Sequence, residues 1–328
     1  MLEPSKILLL NCIGSYYNSI IESLNKSSQN LILNFLVNGH LAYTKLNFEQ
    51  IYEKFGENPW GYQPILILDS ENNELKTDQN FYDYLYSKFQ IEIAIVEPSN
   101  ENFLSILKIY EENEKNFIIC TIDEFFNSHS KFYQLKHNKH FLLIKDYDSK
   151  NKKVIVIDSE KKAPYILSLI ELQDAIFNST YQHKSIHIVN CNNFRDGISK
   201  NFENAKKNLL MNASERYIPF MIEDILSFEN INDKTKKYIV EGYYYNITSK
   251  ILPYLNMVHY LFGNYRDCSG NSEIILNELI EKWRSLNAFI LYKLNRPNFD
   301  LNPIVQKLDQ ISEIDKKLWK EIKVNNVI

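Results

Sequence analysis

The chain has 328 residues, 45% of them apolar and 24% charged, with a net charge of −4. That balance excludes a disordered chain and leaves no basic footprint for nucleic acid. Eight glycines and nine prolines are too few for a collagen-like or low-complexity protein, and with no GxGxxG and no Walker loop the sequence offers no nucleotide-binding loop.

In chain order, short runs rich in Ile, Val, Leu and Phe predict strands at 7–10, 65–68, 91–96, 117–120, 141–144, 154–157 and 185–189. Between them, Ile13, Tyr17, Ile20, Ile21 and Leu24 fall at helical spacing, as do Phe103, Ile106, Leu107 and Tyr110, and then Leu169, Leu172 and Ile176. Beyond residue 195 the strand runs nearly vanish. Stretches 199–211, 218–228, 234–262, 272–294 and 304–322 carry the 3.6-residue period, with charges on the opposite face. Pro253, inside one of them, predicts a kink or break. The expected class is therefore α+β over residues 1–194, followed by an all-helical domain over 195–328.

The four cysteines, at positions 12, 120, 191 and 268, lie far apart and form no CxxC pair. This speaks against a zinc knuckle, a thioredoxin motif or a disulfide framework and for a reducing compartment. The N-terminal apolar run at 7–10 is shorter than the core of a secretion signal, and no run approaches the ~18 apolar residues of a membrane span. A soluble cytoplasmic protein is expected.

Cys12 is the sharpest local feature. An apolar run ends at Leu10, and Asn11-Cys12-Ile13-Gly14-Ser15-Tyr16 opens an amphipathic helix. The first turn of a helix carries unpaired N–H groups and the positive end of the dipole, which favour a thiolate and can hold an oxyanion. Gly14 keeps the approach to the sulfur open. The alternative for this segment is a small buried cysteine at a strand–helix junction.

Residues 140–158 read as a hairpin. Pairing symmetric about Ser149 sets Ile144 against Val154, Phe141 against Ile157 and His140 against Asp158. Directly paired residues share a face with β-carbons about 5 Å apart. An aspartate so placed orients the ring and stabilises its charged form, which predicts a Cys12–His140–Asp158 triad. A slip of one residue would send Asp158 to the other face. Asp146 and Asp148 are rivals, but fall in the predicted turn.

The order Cys12, His140, Asp158 resembles that of papain-like cysteine enzymes. Asn11-Cys12-Ile13-Gly14-Ser15, the run Asp123-Glu124-Phe125-Phe126 with Tyr133, His140-Phe141-Leu142-Leu143-Ile144 with Asp146-Tyr147-Asp148, and Val156-Ile157-Asp158 resemble the butirosin biosynthesis protein H family. They are also similar to cysteine peptidases that trim bacteriocin leaders. The resemblance covers about residues 1–190. It implies a papain-like catalytic domain with an antiparallel sheet and a nucleophile helix. It also implies acyl transfer from an acyl or peptidyl carrier protein, which presents its substrate as a phosphopantetheine thioester, to a small amine or diamine. Papain-fold amide synthases acting on polythioamide chains are the closer comparison within that group. One departure stands out: 6–11 holds no Gln for the oxyanion hole, so the Cys12 amide and another donor, with Asn11 a candidate, must form it.

No ATP, metal or other cofactor is needed, because aminolysis of a thioester runs downhill. A channel that keeps water from the acyl-enzyme would use aromatic rings, with Tyr16, Trp60, Tyr62 and Tyr133 as candidates and Tyr243–Tyr245 behind them; plain core packing is the alternative for each. Three other functions stay open. A peptidase or thioesterase would use the same triad. A zinc site would draw on His129, His137 and His140. A non-catalytic interaction protein would leave Cys12 buried.

Overall fold

The computed structural model describes residues 2, 12–24, 40–55, 62–68, 74, 79–135, 137–179, 184–195, 217–263, 270–296 and 299–325. It is a mixed α/β chain with an antiparallel sheet and a helical C-terminal region. The expected strand at 7–10 and helix at 199–211 lie outside the described residues. By internal contacts the chain divides into two compact units, residues 1–31 with 76–199, and residues 32–75 with 200–328.

The first unit holds α1 (Cys12–Leu24), and its later elements are numbered to continue those of the second unit's opening segment, which is β1 (His40–Tyr43), α2 (Phe48–Phe55) and β2 (Ile65–Leu68). From residue 79 the first unit runs α3 (Gln79–Phe89), β3 (Glu92–Val96), α4 (Phe103–Glu112), β4 (Asn116–Asp123), a 3₁₀ turn (Glu124–Phe126), β5 (Lys139–Asp148), β6 (Lys153–Ile157), β7 (Tyr165–Ser168), α5 (Leu169–Phe177) and β8 (Ile186–Asn190). Among the described residues six strands form one sheet in the order β3-β8-β4-β5-β6-β7, every pair antiparallel.

The central strands are apolar on both faces because both faces are covered. On one face Ile118, Cys120, Ile122, Leu142, Ile144, Val154 and Val156 pack against Phe103, Ile106 and Leu107 of α4 and Leu172, Ala175 and Ile176 of α5. Helix α1 packs on β4 and β5. The neighbour of its Tyr17 on the sheet is His187 of β8, which also meets the Phe141 ring. The same Tyr17 ring meets Phe81 and Tyr82 of α3 edge-on. A helix held between a sheet and another helix has no solvated face, and every residue from Ile13 to Ile21 is buried.

The expected hairpin forms, in a different register. Leu143 pairs with Ile157 and Ile144 with Val156; a bulge at Lys145 then shifts the ladder, so that Tyr147 pairs with Val154. The turn is carried by residues 149–152, with Lys152 in the left-handed region at φ 51°. Symmetry about Ser149 is thus overturned: the turn is centred between Lys150 and Asn151, and the extra residue of the bulge in β5 then returns the outer pairs by one residue, so that they are symmetric about Lys150.

The second unit begins with the antiparallel pair β1–β2, in which His40 faces Leu68. It continues with α6 (Tyr217–Ser227), α7 (Asp233–Asn246), a π-helical turn (Ile247–Ile251), α8 (Leu252–Gly263), α9 (Gly270–Leu294) and α10 (Asn302–Asn325). The irregularity expected of Pro253 is met by that turn: just before the proline, the Leu252 amide reaches back to the Ile247 carbonyl. A widened turn absorbs the ring that a regular helix would reject.

The expected boundary at 194/195 and the all-helical second domain are both corrected by the segment 32–75. Two of its backbone groups bond to a side chain of α7. Asn246 accepts from the Ile65 amide at 3.1 Å and donates to the Tyr62 carbonyl at 3.1 Å. At Gly242 a β-carbon would stand 2.6 Å from the Tyr62 carbonyl oxygen, so only glycine permits the approach. No helix among the described residues is long and apolar enough to cross a membrane.

Candidate active site

Cys12 is the first residue of α1, and its side chain retains partial exposure. Its sulfur nonetheless lies in dense protein. Burial pushes the thiol up to about 12, against the pull of the Ile13, Cys12 and Phe141 amides, and the nearby Asp158 carboxylate adds to the rise. The expectation that a helix start alone would give a thiolate is therefore corrected: desolvation outweighs the helix amides. The amide of Phe141 at the sulfur and the charge of Asp158 nearby place Cys12 beside the strand ends that carry His140 and Asp158.

His140 is the second residue of β5, with its side chain 9% exposed. Its Nε2–H donates to Asp158 Oδ1 at 3.0 Å, which leaves Nδ1 as the nitrogen free to take a proton when the ring is neutral. The two residues are not directly paired. The register sets Asp158 beyond the last pair, Leu143–Ile157, and the bond runs diagonally. A shift of two residues from the expected register keeps both side chains on one face, so the partnership survives where a shift of one would have broken it. Burial lowers the His140 pKa, but the hydrogen bond and charge of Asp158 outweigh it, and the net shift is upward from 6.5. Burial raises that of Asp158, and the His140 bond and charge, the Glu160 amide and Lys161 bring the net shift below 3.8.

The carboxylate of Asp158 is fixed from several sides. Oδ1 also accepts from the Glu160 amide at 2.8 Å, and the Asp158 carbonyl accepts from the Lys161 amide at 3.0 Å, so the residue sits in its own tight turn. Tyr165 Oη lies 3.4 Å from Oδ2 and is itself held by Asn127 Nδ2 at 2.9 Å and by the His129 ring stacked at 4.3 Å. Tyr165 was not anticipated. Its strand β7 follows Pro164 with only Tyr-Ile-Leu as an apolar run, too short a signal to read.

The remaining candidates divide. Asn11 and Trp60 lie outside the described residues. Gly14 is buried in the first turn of α1. Tyr16 is 1% exposed and donates to the Phe141 carbonyl at 2.6 Å, while accepting from the Ser159 amide at 3.1 Å. Its hydroxyl thus ties α1 to β5 and to the chain after Asp158. Tyr62 is fully buried in the second unit, its hydroxyl donated to Asp224, which also accepts from Tyr243 at 2.7 Å. Both rings are buried, as the core-packing alternative expects. Tyr133 lines a cavity of about 310 Å³ with Phe125, Phe126, Gln134, Ser168, Ile170, Glu171 and Asp174, and that lining contains none of Cys12, His140 and Asp158. His129, His137 and His140 go to separate partners, Tyr165, Asp123 at 2.7 Å and Asp158. Among the described residues no group of three His, Cys, Asp or Glu is placed to hold a metal ion.

Among the described residues a hydrogen bond joins His140 to Asp158, and the Cys12 sulfur lies near the Phe141 amide and the Asp158 charge, while no hydrogen bond joins Cys12 to His140. Such a set can carry an acyl group through a covalent intermediate. No protein-family model and no curated protein matches the chain.

Proposed function

We propose that the protein is a cysteine-dependent acyltransferase that moves a carrier-bound thioester acyl group through acyl-Cys12 onto an amine or diamine. The observation that carries this reading is the 3.0 Å His140–Asp158 bond at strand ends whose Phe141 amide faces the Cys12 sulfur. The resemblance of the first 190 residues to papain-like enzymes of the butirosin type supports the choice of acyl transfer, and a papain-like fold for the first unit is part of the same proposal.

With its pKa near 12 the resting sulfur is a thiol, so its proton leaves during attack. The sulfur adds to the thioester carbonyl as His140 Nδ1 takes the thiol proton. The tetrahedral oxyanion is met by the amides at the helix start and at Phe141, in place of the absent glutamine. It collapses with loss of the carrier thiol, which leaves with the proton from His140. The amine then attacks acyl-Cys12, His140 takes its proton, and the amide departs as the thiol is restored. Thioester exchange is nearly isoenergetic and aminolysis is downhill, so the sequence needs no further energy source. The resemblance to papain-fold amide synthases proposes a polythioamide chain as the acyl group; nothing in the three residues depends on its identity.

The test is incubation of the full chain with an acyl-pantetheine thioester, with and without a diamine. Amide product that depends on Cys12, His140 and Asp158 is the expected result. Free acid alone, in the presence of the diamine, overturns the transferase reading in favour of a thioesterase or peptidase with the same residues.

A further inference from the structure

We propose that Tyr16 is the positioning residue of this site, its hydroxyl serving as an inserted rung that wedges β5 from the chain beyond β6 where Cys12 enters. The inference rests on the reading of Cys12, His140 and Asp158 given above and adds what holds them in place.

The ladder between β5 and β6 is regular at Ile144–Val156 and Leu143–Ile157. Two residues further the same register would pair Phe141 with Ser159, and the Ser159 amide would donate to the Phe141 carbonyl. That bond is replaced by two. The Ser159 amide donates to Tyr16 Oη at 3.1 Å, and the Tyr16 hydroxyl donates to the Phe141 carbonyl at 2.6 Å. One hydroxyl thus satisfies both backbone groups of a missing rung, and the strands part by the width of an oxygen atom.

Two consequences follow from the parting. The Phe141 amide, which would have faced Ser159, is turned to the Cys12 sulfur instead. Asp158, the residue just before the wedge, is freed from the ladder, enters its own turn with Glu160 and Lys161, and reaches His140 diagonally. Tyr16 stands one helical turn after Cys12 and is 1% exposed, so the wedge and the nucleophile are carried by one rigid helix. Removing the hydroxyl leaves the part-buried Ser159 amide and Phe141 carbonyl to find each other. The strands then close, Asp158 is drawn toward the ladder, and the Phe141 amide turns away from the sulfur.

The test is Tyr16→Phe, which deletes a single oxygen. The titrations of the His140 and His187 ring protons are followed by NMR, and the rate of Cys12 alkylation by iodoacetamide is measured across pH. The expected result is a His140 midpoint that falls toward 6.5, an unchanged His187 midpoint, and Cys12 alkylation slower by about tenfold or more. A merely structural tyrosine would shift the unfolding midpoint and leave the His140 titration where it was, and that outcome overturns the proposal. Should Tyr16→Phe fail to fold, hydrogen exchange of the native chain decides: the Ser159 amide is expected to be protected as strongly as the β5 core amides, and free exchange there refutes the rung. A native chain with an ordinary His140 titration and an inert Cys12 would refute instead the reading of the site.

Discussion

His140 holds its proton to higher pH than a free imidazole because a buried aspartate shares it. In the proposed role of general base it must be neutral, so kcat/KM is expected to rise with pH through an acidic limb above 6.5. Asp158→Asn removes the charge that raises it; the limb should move down, and the rate should fall by about 10²–10⁴-fold. The same shift is a statement about stability. The contribution of His140, whose folded pKa is raised, is whole below 6.5 and is lost as pH rises through the folded value. That of Asp158, whose folded pKa is lowered, is present above 3.8 and is lost as pH falls through its folded value. His187 acts in a third direction. Burial, with Lys139 nearby, lowers it to about 4, and its Nδ1 meets the Tyr17 hydroxyl at 3.1 Å. Its contribution is whole above 6.5 and is lost as pH falls from there to about 4. The urea midpoint should therefore drop between pH 6.5 and 4, and His187→Asn should flatten that part of the curve.

At the scale of the element, the register of β5 and β6 shows what a sequence can and cannot give. Apolar runs at 141–144 and 154–157 marked both strands, because two buried faces leave little room for polar residues. The bulge at Lys145 left no mark: a lysine between Ile144 and Asp146 is equally at home in a regular strand. His140 and Asp158 were still brought together, since only the face mattered and an error of two residues preserves it. Strands β1 and β7, and helices α2 and α3, were missed because their apolar residues are few and interspersed with Tyr, Asn, Gln and Glu. The place of Tyr16 was illegible for a different reason, as its partners are backbone atoms 125 and 143 residues away. Gly242 offers a check at this scale. Alanine in mid-helix gains about 1 kcal/mol of propensity, but its β-carbon would stand 2.6 Å from the Tyr62 carbonyl oxygen. Overpacking of that kind costs about 1–3 kcal/mol. The contact is with backbone, which yields little, so Gly242→Ala is expected to destabilise by about 1 kcal/mol or more in denaturant unfolding.

For the whole molecule, each unit is built from two stretches of chain. Helix α1 joins the sheet over an interval of more than fifty residues, and the segment between them folds with the helical region. A composition shift marks where strands give way to helices near residue 195; it cannot mark a segment that leaves one unit for the other, because its own pattern of strand and helix suits either. Residues 195–328 expressed alone would lack Tyr62 and Ile65, so Asp224 would keep Tyr243 but lose the Tyr62 hydroxyl, and Asn246 would lose the Ile65 amide and the Tyr62 carbonyl. That fragment should unfold at a lower urea concentration than the helical signal of the full chain, by circular dichroism; an equal midpoint would show that 32–75 is dispensable to the unit.

The central claim is that Cys12 carries an acyl group with His140 as its base. Its most direct test is the mass of the intact full chain after mixing with an acyl-pantetheine thioester in the absence of amine. The account predicts one added acyl group, located on the Cys12 peptide, formed far more slowly in His140→Ala, absent in Cys12→Ala and discharged when a diamine is supplied. An adduct that forms equally in Cys12→Ala, or turnover of the thioester that survives that substitution, would contradict it.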